Sequence, residues 1–156
     1  MKRTFKRILS KKILIIFYLI LFTTPLYAQK PSIKLKTQKV IINGTEVFKF
    51  SRGWNGANED VSLYNIISNE EVIYIKDDNG GTTQGPNSQN DDFVTYNFLN
   101  IKTKVEIRGK FRLISEIAFL YSNGVFDLEG NLNNEKINRF KDKYDENISG
   151  KTIISR

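Results

Sequence analysis

The chain has no cysteine and no histidine among its 156 residues, and these two absences remove most common catalytic and metal-binding chemistries. Without cysteine there is no disulfide and no thiol nucleophile, so the folded part must rely on its hydrophobic core. Without histidine, the serine–histidine–aspartate triad and histidine-ligated zinc or haem are excluded. Carboxylate, hydroxyl, lysine and tyrosine side chains remain. We therefore expect a protein without catalytic activity, metal or cofactor.

The N-terminal segment has the three-part layout of a secretory signal peptide. Six basic residues precede a ten-residue apolar run, Ile13–Phe22, and an exit segment, Thr23–Ala28, follows. A membrane-spanning helix needs about 20 apolar residues, so we expect cleavage after Ala28, which leaves residues 29–156 as a single domain. Leu26 is larger than the small residue preferred three positions before the cut. Retention as an anchor therefore stays open.

The net charge of +7 belongs almost entirely to that segment. Residues 1–28 contain six of the 24 Lys and Arg residues and none of the 17 Asp and Glu residues, which leaves residues 29–156 with a net charge of +1. A strongly basic balance would indicate nucleic acid or an acidic membrane as partner. We expect no nucleic-acid partner, and no glycine-rich phosphate loop with its trailing lysine is present.

The middle of the chain alternates β-branched or aromatic residues with polar ones, between turn-forming clusters, which predicts antiparallel strands. Asn43-Gly44 suits a two-residue type I′ turn, because both positions need positive φ. It joins strands at 40–42 and 46–50. A second hairpin joins 61–67 to 72–76, and a further strand covers 93–98.

The pattern is less decisive after residue 100. Ile101–Leu113 predicts one long strand with a bulge or bend at Gly109, or two strands. Leu113–Tyr121 fits either a helix or a buried strand, and its short, almost wholly apolar sequence favours the strand.

A C-terminal amphipathic helix is predicted by apolar residues at spacings of three and four, capped by Asn133 or Asn134 and ended by Gly150. These residues are Ile137, Phe140, Tyr144 and Ile148. The sequence thus predicts a mainly β or α+β domain. Its architecture is either a single antiparallel β-sandwich or a partly open barrel, with one C-terminal helix.

One face of the predicted 101–113 strand is basic apart from Glu106. Side chains on one strand face recur every ~6.5 to 7 Å, comparable with the phosphate spacing of an extended polymer. This face is therefore a candidate polyanion site, to which Lys34 and Lys36 add charge if their strand is adjacent. An ordinary solvated face, with lysines that protect an edge strand, is the alternative. The cations are Lys102, Lys104, Arg108, Lys110 and Arg112.

Trp54 is the only tryptophan and lies among small and amide residues. An exposed ring in such a loop suits stacking on a sugar. The commoner arrangement is a tryptophan that folds back and plugs one end of a sheet, and this interpretation is preferred.

Four acidic doublets lie in predicted loops or at strand ends. Adjacent residues on a strand point to opposite faces, so a doublet alone does not supply the two facing carboxyls of glycoside cleavage. The oxygen-rich segment 77–92 fails the twelve-residue calcium pattern, because its turn glycine is displaced and the last glutamate is missing. Solvated loop charge is the preferred interpretation. The doublets are Glu59-Asp60, Glu70-Glu71, Asp77-Asp78 and Asp91-Asp92.

We therefore expect an exported binding or structural protein of the bacterial periplasm or cell surface, or a secreted one. It would contact lipopolysaccharide or an anionic envelope glycan through the basic face, with Trp54 as a further contact. One alternative is a small glycan hydrolase that uses Asp60, Asp78, Asp91 or Asp92 as acid and base, with Trp54 as sugar platform. The other is an inhibitor or immunity-type protein that binds another exported protein through a loop such as 77–92.

Overall fold

Seven antiparallel strands form one sheet in which spatial order follows chain order. The computed structural model describes residues 30–55, 58–78, 92–109 and 112–151, and the elements below belong to the compact unit that begins at Pro31. Residues 1–28 lie outside the described residues, so the signal peptide stays a prediction. The strands are β1 (Ile33–Lys36), β2 (Lys39–Ile42), β3 (Thr45–Asn55), β4 (Asn58–Asn65), β5 (Glu71–Asp78), β6 (Phe93–Phe98) and β7 (Thr103–Arg108).

The hairpin predicted around Asn43-Gly44 is confirmed. Both residues have positive φ, 52° and 89°, and Ile42 lies opposite Thr45 across the turn. The hairpin of β4 and β5 and the strand β6 are also confirmed. Two irregularities interrupt the ladders, one between Val40 and Ile41 and one between Leu63 and Tyr64.

The core lies on one face of the sheet, which we call the inner face, and its centre is fully buried at Val40, Leu63, Ile73, Tyr96 and Val105. Helix α1 (Leu113–Ser122) packs against β1, and helix α2 (Asn134–Tyr144) and the short helix α3 (Ile148–Lys151) pack against β7. The opposite face is called the outer face. Because side chains alternate along a strand, the chain neighbours of these core residues point to the outer face, and those of Tyr96 and Val105 are polar.

The mainly β class with a few helices is confirmed, but the sandwich is not. A sandwich needs two stacked sheets, and the described strands form one open sheet whose first and last strands do not pair with each other. Closure into a barrel is therefore not seen among these strands either. Within the described residues, no helix is both long and apolar enough to span a bilayer.

The strand interpretation of Leu113–Tyr121 is wrong, because this segment is helix α1. Its buried residues Leu113, Glu116, Ile117 and Leu120 follow helical spacing. The long strand predicted from Ile101 is shorter at both ends. A 3-10 turn covers Leu99–Ile101, and β7 ends before Gly109, whose φ is 110°.

The predicted C-terminal helix is confirmed as α2. The side chain of Asn133 caps it by accepting a hydrogen bond from the backbone N–H of Lys136 at 3.1 Å, and Ile137 and Phe140 are buried. The helix ends at Tyr144, and Gly150 lies within the separate helix α3. The prediction that Gly150 ends the helix is therefore wrong.

Candidate functional site

The predicted basic stripe does not form a continuous face of one strand. Lys104 and Arg108 lie on the outer face of β7. Lys102 caps the 3-10 turn with φ 51°, and Arg112 precedes α1 as its N-cap residue. Lys110 lies outside the described residues. Because the strand spans only Thr103–Arg108, the regular spacing expected from an extended 101–113 strand is absent.

The two stripe cations on β7 are engaged with carboxylates. Lys104 Nζ lies 2.7 Å from Glu106 Oε1 and donates to Ser149 Oγ at 2.9 Å, while Arg108 Nε lies 3.5 Å from Glu146 Oε2. Glu106 is only 2% exposed. Burial works to raise the pKa of Glu106, but hydrogen bonds from Lys104 and Ser149 outweigh it and hold the pKa below its ordinary value.

The segment 145–149 also occupies the free edge of β7. Asp145 Oδ1 accepts from the backbone N–H of Glu106 at 2.9 Å, and Glu146 Oε1 accepts from that of Arg108 at 2.9 Å. The backbone N–H of Glu146 donates to the Glu106 carbonyl at 2.8 Å. Edge groups that would otherwise be open to a partner strand are thereby satisfied within the chain.

Lys34 and Lys36 do not extend the stripe, because β1 and β7 are at opposite ends of the strand order. The structure instead places Lys36 directly opposite Lys39, and Lys39 directly opposite Lys49, across β1, β2 and β3. We call these three residues the lysine row. They lie on the outer face, and neighbouring members are about 4.8 Å apart through the strand spacing.

The surroundings of the lysine row are predominantly basic. Lys34 lies on the same face two residues before Lys36, and both are exposed. Lys39 Nζ pairs with Glu46 Oε2 at 2.7 Å, and Lys49 Nζ donates to Asn69 Oδ1 at 2.9 Å. Among the described residues, Glu46 is the single carboxylate paired with the row. Like charges directly opposite on a sheet are destabilising, so this arrangement has a cost that folding alone does not require.

Trp54 is exposed at the end of β3, so the plug interpretation is wrong. Its side chain is 69% exposed, and it lies on the inner-face side of the strand, directly opposite Glu59 of β4. Arg52, two residues earlier, shares that side, and its Nε lies 3.2 Å from Glu59 Oε1. The Arg52 guanidinium also lies over the Phe50 ring, 5.5 Å from the centroid.

Buried acidic groups lie behind this exposed hairpin end, on the inner face. Glu116 of α1 is 3% exposed and Asp77 of β5 is 6% exposed. Burial, followed by the charges of Asp77 and Glu59, raises the pKa of Glu116 to about 8, against the opposing effect of Arg52. Burial, followed by the charges of Glu116 and Asp77, also raises the pKa of Tyr96.

Two oxygens of this group, Glu116 Oε1 and the Tyr96 hydroxyl, have no hydrogen-bond partner. Glu116 thus has the raised pKa of a general acid. Its burial, however, leaves a glycan no access to the carboxyl. We interpret this acidic group as part of the core rather than as a catalytic pair.

The hydrolase alternative needs carboxylates on the face that carries Trp54, and the predicted ones lie elsewhere. Asp60 lies opposite Lys76 on the outer face, and Asp78 accepts from Lys76 Nζ at 3.2 Å on the same face. Asp92 precedes β6, and Asp91 lies outside the described residues. The described members of that set therefore do not combine with Trp54. The carboxylate that does lie beside Trp54 is Glu59. It belongs to the same doublet as Asp60, but the hydrolase alternative does not include it.

Two further acidic segments are the loop 77–92 and the loop after α1. Residues 79–91 of the proposed calcium or partner-binding loop lie outside the described residues. In the loop after α1, Asp127 accepts hydrogen bonds from the backbone N–H groups of Glu129 and Asn131 at 3.0 and 2.8 Å. Within the described ranges, no group of three or more acidic side chains has the arrangement to hold a metal ion.

No protein-family model, curated protein sequence or solved structure matches this chain. Arguments about function therefore rest on the geometry of the lysine row and of the Trp54 hairpin end.

Proposed function

We propose that the protein is an exported, non-catalytic binding protein of the bacterial envelope whose lysine row contacts a polyanion. The observation that carries this proposal is the register that aligns Lys36, Lys39 and Lys49 across three adjacent strands. Residues 29–156 have a net charge of only +1, so these cations represent a local segregation of charge. The chemistry that fits is a polymer or lipid headgroup with closely spaced phosphate, sulfate or carboxylate groups, such as lipopolysaccharide or an acidic envelope glycan.

The lysine row supports this role better than the β7 cations do, because fewer of its charges are paired with carboxylates. Lys104 and Arg108 are held by Glu106 and Glu146, whereas within the part of the chain that the structure describes the row has one paired carboxylate for three lysines. A bound polyanion would relieve the repulsion within the row. Binding energy and relief of folding strain would then come from the same contacts.

The test measures binding to lipopolysaccharide and to a sulfated glycan over a range of salt concentrations, using the protein as recovered from the expressing cells. Replacing all three row lysines with glutamine should weaken binding at low salt. It should also lower the slope of log K against log salt by about three, because each lost contact removes about one released counterion.

A matched variant removes the same number of charges elsewhere. We expect it to bind like the unmodified protein, and a third variant, Lys104→Gln with Arg108→Gln, to have a smaller effect than the row variant. Equal binding by the row variant and the unmodified protein would contradict the proposal. The matched control replaces exposed lysines outside the row, namely Lys102, Lys136 and Lys141.

A further inference from the structure

The hairpin of β3 and β4 presents a second, chemically different surface at its far end. Trp54 is 69% exposed, and among the described residues no aromatic contact involves its ring. Its position is nevertheless fixed by regular pairing, because Trp54 lies opposite Glu59 and the ladder continues to Asn55 and Asn58. A large ring is thus held in the open on a regular strand, at the cost of leaving its apolar surface in water.

The polar groups beside Trp54 are also held in place. Arg52 and Glu59 share its side of the hairpin and form an ion pair of 3.2 Å, and the guanidinium is packed over Phe50. Together they offer N–H donors and carboxylate acceptors next to one aromatic face. Adjacent hydroxyls of a sugar both donate and accept hydrogen bonds, and one pyranose ring has an apolar C–H face of the size of an indole.

We propose that Arg52, Trp54 and Glu59 form a binding site for one sugar ring of an uncharged glycan. The apolar face of the ring stacks on Trp54, and its adjacent hydroxyls bind the Arg52 guanidinium and the Glu59 carboxylate. This site is separate from the lysine row in both position and chemistry. It lies on the inner-face side of β3, while the row lies on the outer face.

The distribution of apolar surface favours a sugar over a protein or a membrane. Protein-binding and membrane-binding surfaces need contiguous apolar area. In the described ranges, the other large exposed apolar residues are Ile67, Leu99 and Ile114. Ile67 and Leu99 follow the far ends of β4 and β6, away from Trp54 in the sheet register, and Ile114 belongs to α1. An indole flanked by an ion pair suits one ring of a glycan.

The single tryptophan makes this site directly observable. We would titrate the full protein with uncharged oligosaccharides and record tryptophan emission and quenching by acrylamide. The panel contains β-1,4-linked N-acetylglucosamine, β-1,4-linked glucose, α-1,4-linked glucose and α-linked mannose oligomers. The expected result is a blue-shifted emission and reduced quenching with at least one oligomer. Added salt should leave that response unchanged, because the oligosaccharides carry no charge.

Variants then assign the response to the three residues. Calorimetric titration should show binding lost in Trp54→Ala and weakened about tenfold in Glu59→Ala, since a hydrogen bond to a charged group is lost. The control Ile67→Ala removes an 88% exposed apolar side chain at the other end of β4 and should bind normally. Thermal unfolding by circular dichroism verifies that each variant is folded.

Three results would overturn the proposal. The first is emission and quenching that no oligosaccharide in the panel alters. The second is a response to uncharged phosphatidylcholine vesicles, which would make Trp54 a membrane contact. The third is emission that depends on protein concentration, which would make it a contact between copies of the chain. Because the lysine-row variant keeps all three residues, failure of polyanion binding leaves this test intact.

Discussion

The buried carboxyl of Glu116 makes the stability of the protein depend on pH in a direction opposite to that of most acidic residues. Glu116 lies beside Asp77 and Glu59, with Arg52 as the nearby opposing charge and Tyr96 as a neutral neighbour. Burial and the two carboxylates raise its pKa from an ordinary 4.5 to about 8. The folded protein therefore keeps a proton that the unfolded chain releases, and the free energy of unfolding should fall as pH rises.

The size of this effect follows from the pKa difference. Between 4.5 and about 8 the folded state binds up to one proton more than the unfolded state, so stability decreases by about 1.4 kcal/mol per pH unit. Over the whole interval the loss is about 5 kcal/mol. Total stabilities of single domains are about 5 to 15 kcal/mol. The contribution is thus fully present below pH 4.5 and is lost by the time pH passes 8.

Urea denaturation followed by far-ultraviolet circular dichroism at pH 5, 6.5 and 8.5 measures this loss. Glu116→Gln keeps the shape of the side chain but does not titrate. It should lie within about 1 kcal/mol of the unmodified protein at pH 5 and exceed it by about 5 kcal/mol at pH 8.5. The control Glu135→Gln changes a glutamate that also lies in the first turn of a helix but is 71% exposed. It should keep the unmodified pH profile.

An unmodified pH profile in Glu116→Gln would refute this reasoning. Glu106 and Asp127 do not obscure the test. Burial works to raise the pKa of each, but hydrogen bonds to their ionised forms outweigh it and lower the pKa. Their contributions are therefore constant above 4.5 and are lost only as pH falls below it.

Three further predictions concern the packing around the sites and are tested by urea denaturation. Tyr96→Phe removes a buried hydroxyl without a partner and should raise stability by about 1 kcal/mol, whereas Tyr144→Phe removes a 3.2 Å hydrogen bond and should lower it by about as much; the same sign for both would contradict the assignment. Ser149→Ala keeps its backbone N–H bond to the buried Glu106 carboxylate but loses the bond that its hydroxyl donates to that carboxylate and the one it accepts from Lys104, and it should cost about 2 kcal/mol; an unchanged stability would mean that α3 does not hold this edge. Gly130→Ala places a Cβ 2.8 Å from a backbone carbonyl oxygen at φ +79° and should cost several times as much as Gly53→Ala, whose nearest contact is at 3.9 Å; similar costs would exclude this close approach.

Local signals in the sequence predicted those elements that are determined locally. The turn at Asn43-Gly44 follows from the positive φ that both residues tolerate, and α2 follows from its cap at Asn133 and a narrow apolar stripe on a polar helix. The sequence did not predict helix α1, because most of its residues are apolar and the helical spacing of the buried ones is therefore not visible. The buried Glu116 at the helical spacing was the remaining signal.

The functional surfaces were harder to predict, because they depend on which strands are neighbours. The predicted stripe from Lys102 to Arg112 required one continuous strand. The prediction was wrong because β7 ends at Arg108, before Gly109 with its positive φ. The hydrolase alternative combined Trp54 with Asp60 of the doublet Glu59-Asp60. Which member of that doublet shares its face depends on the register of β3 with β4, which pairs Trp54 with Glu59.

The lysine row depends on a single extra residue. Counting back from the Asn43-Gly44 turn in a regular ladder would pair Val40 with Val47 and Lys39 with Phe48. The irregularity between Val40 and Ile41 instead pairs Val40 with Phe48 and Lys39 with Lys49. Val47 and Phe48 are both buried as a result, which gives the irregularity a packing function in the core.

The same irregularity brings like charges together on the outer face, where a regular ladder would have separated them. Bulges re-aim side chains and are over-represented beside functional sites. The sheet therefore gains a second buried apolar residue on its inner face and, on its outer face, a row of cations that a polyanion would stabilise. If binding requires the row, exchanging Lys49 with Ser51 (Lys49→Ser with Ser51→Lys) should weaken it, because the cation stays on the outer face but moves two residues along β3, away from Lys39. The exchange leaves the total charge unchanged, so it separates the geometry of the row from its charge.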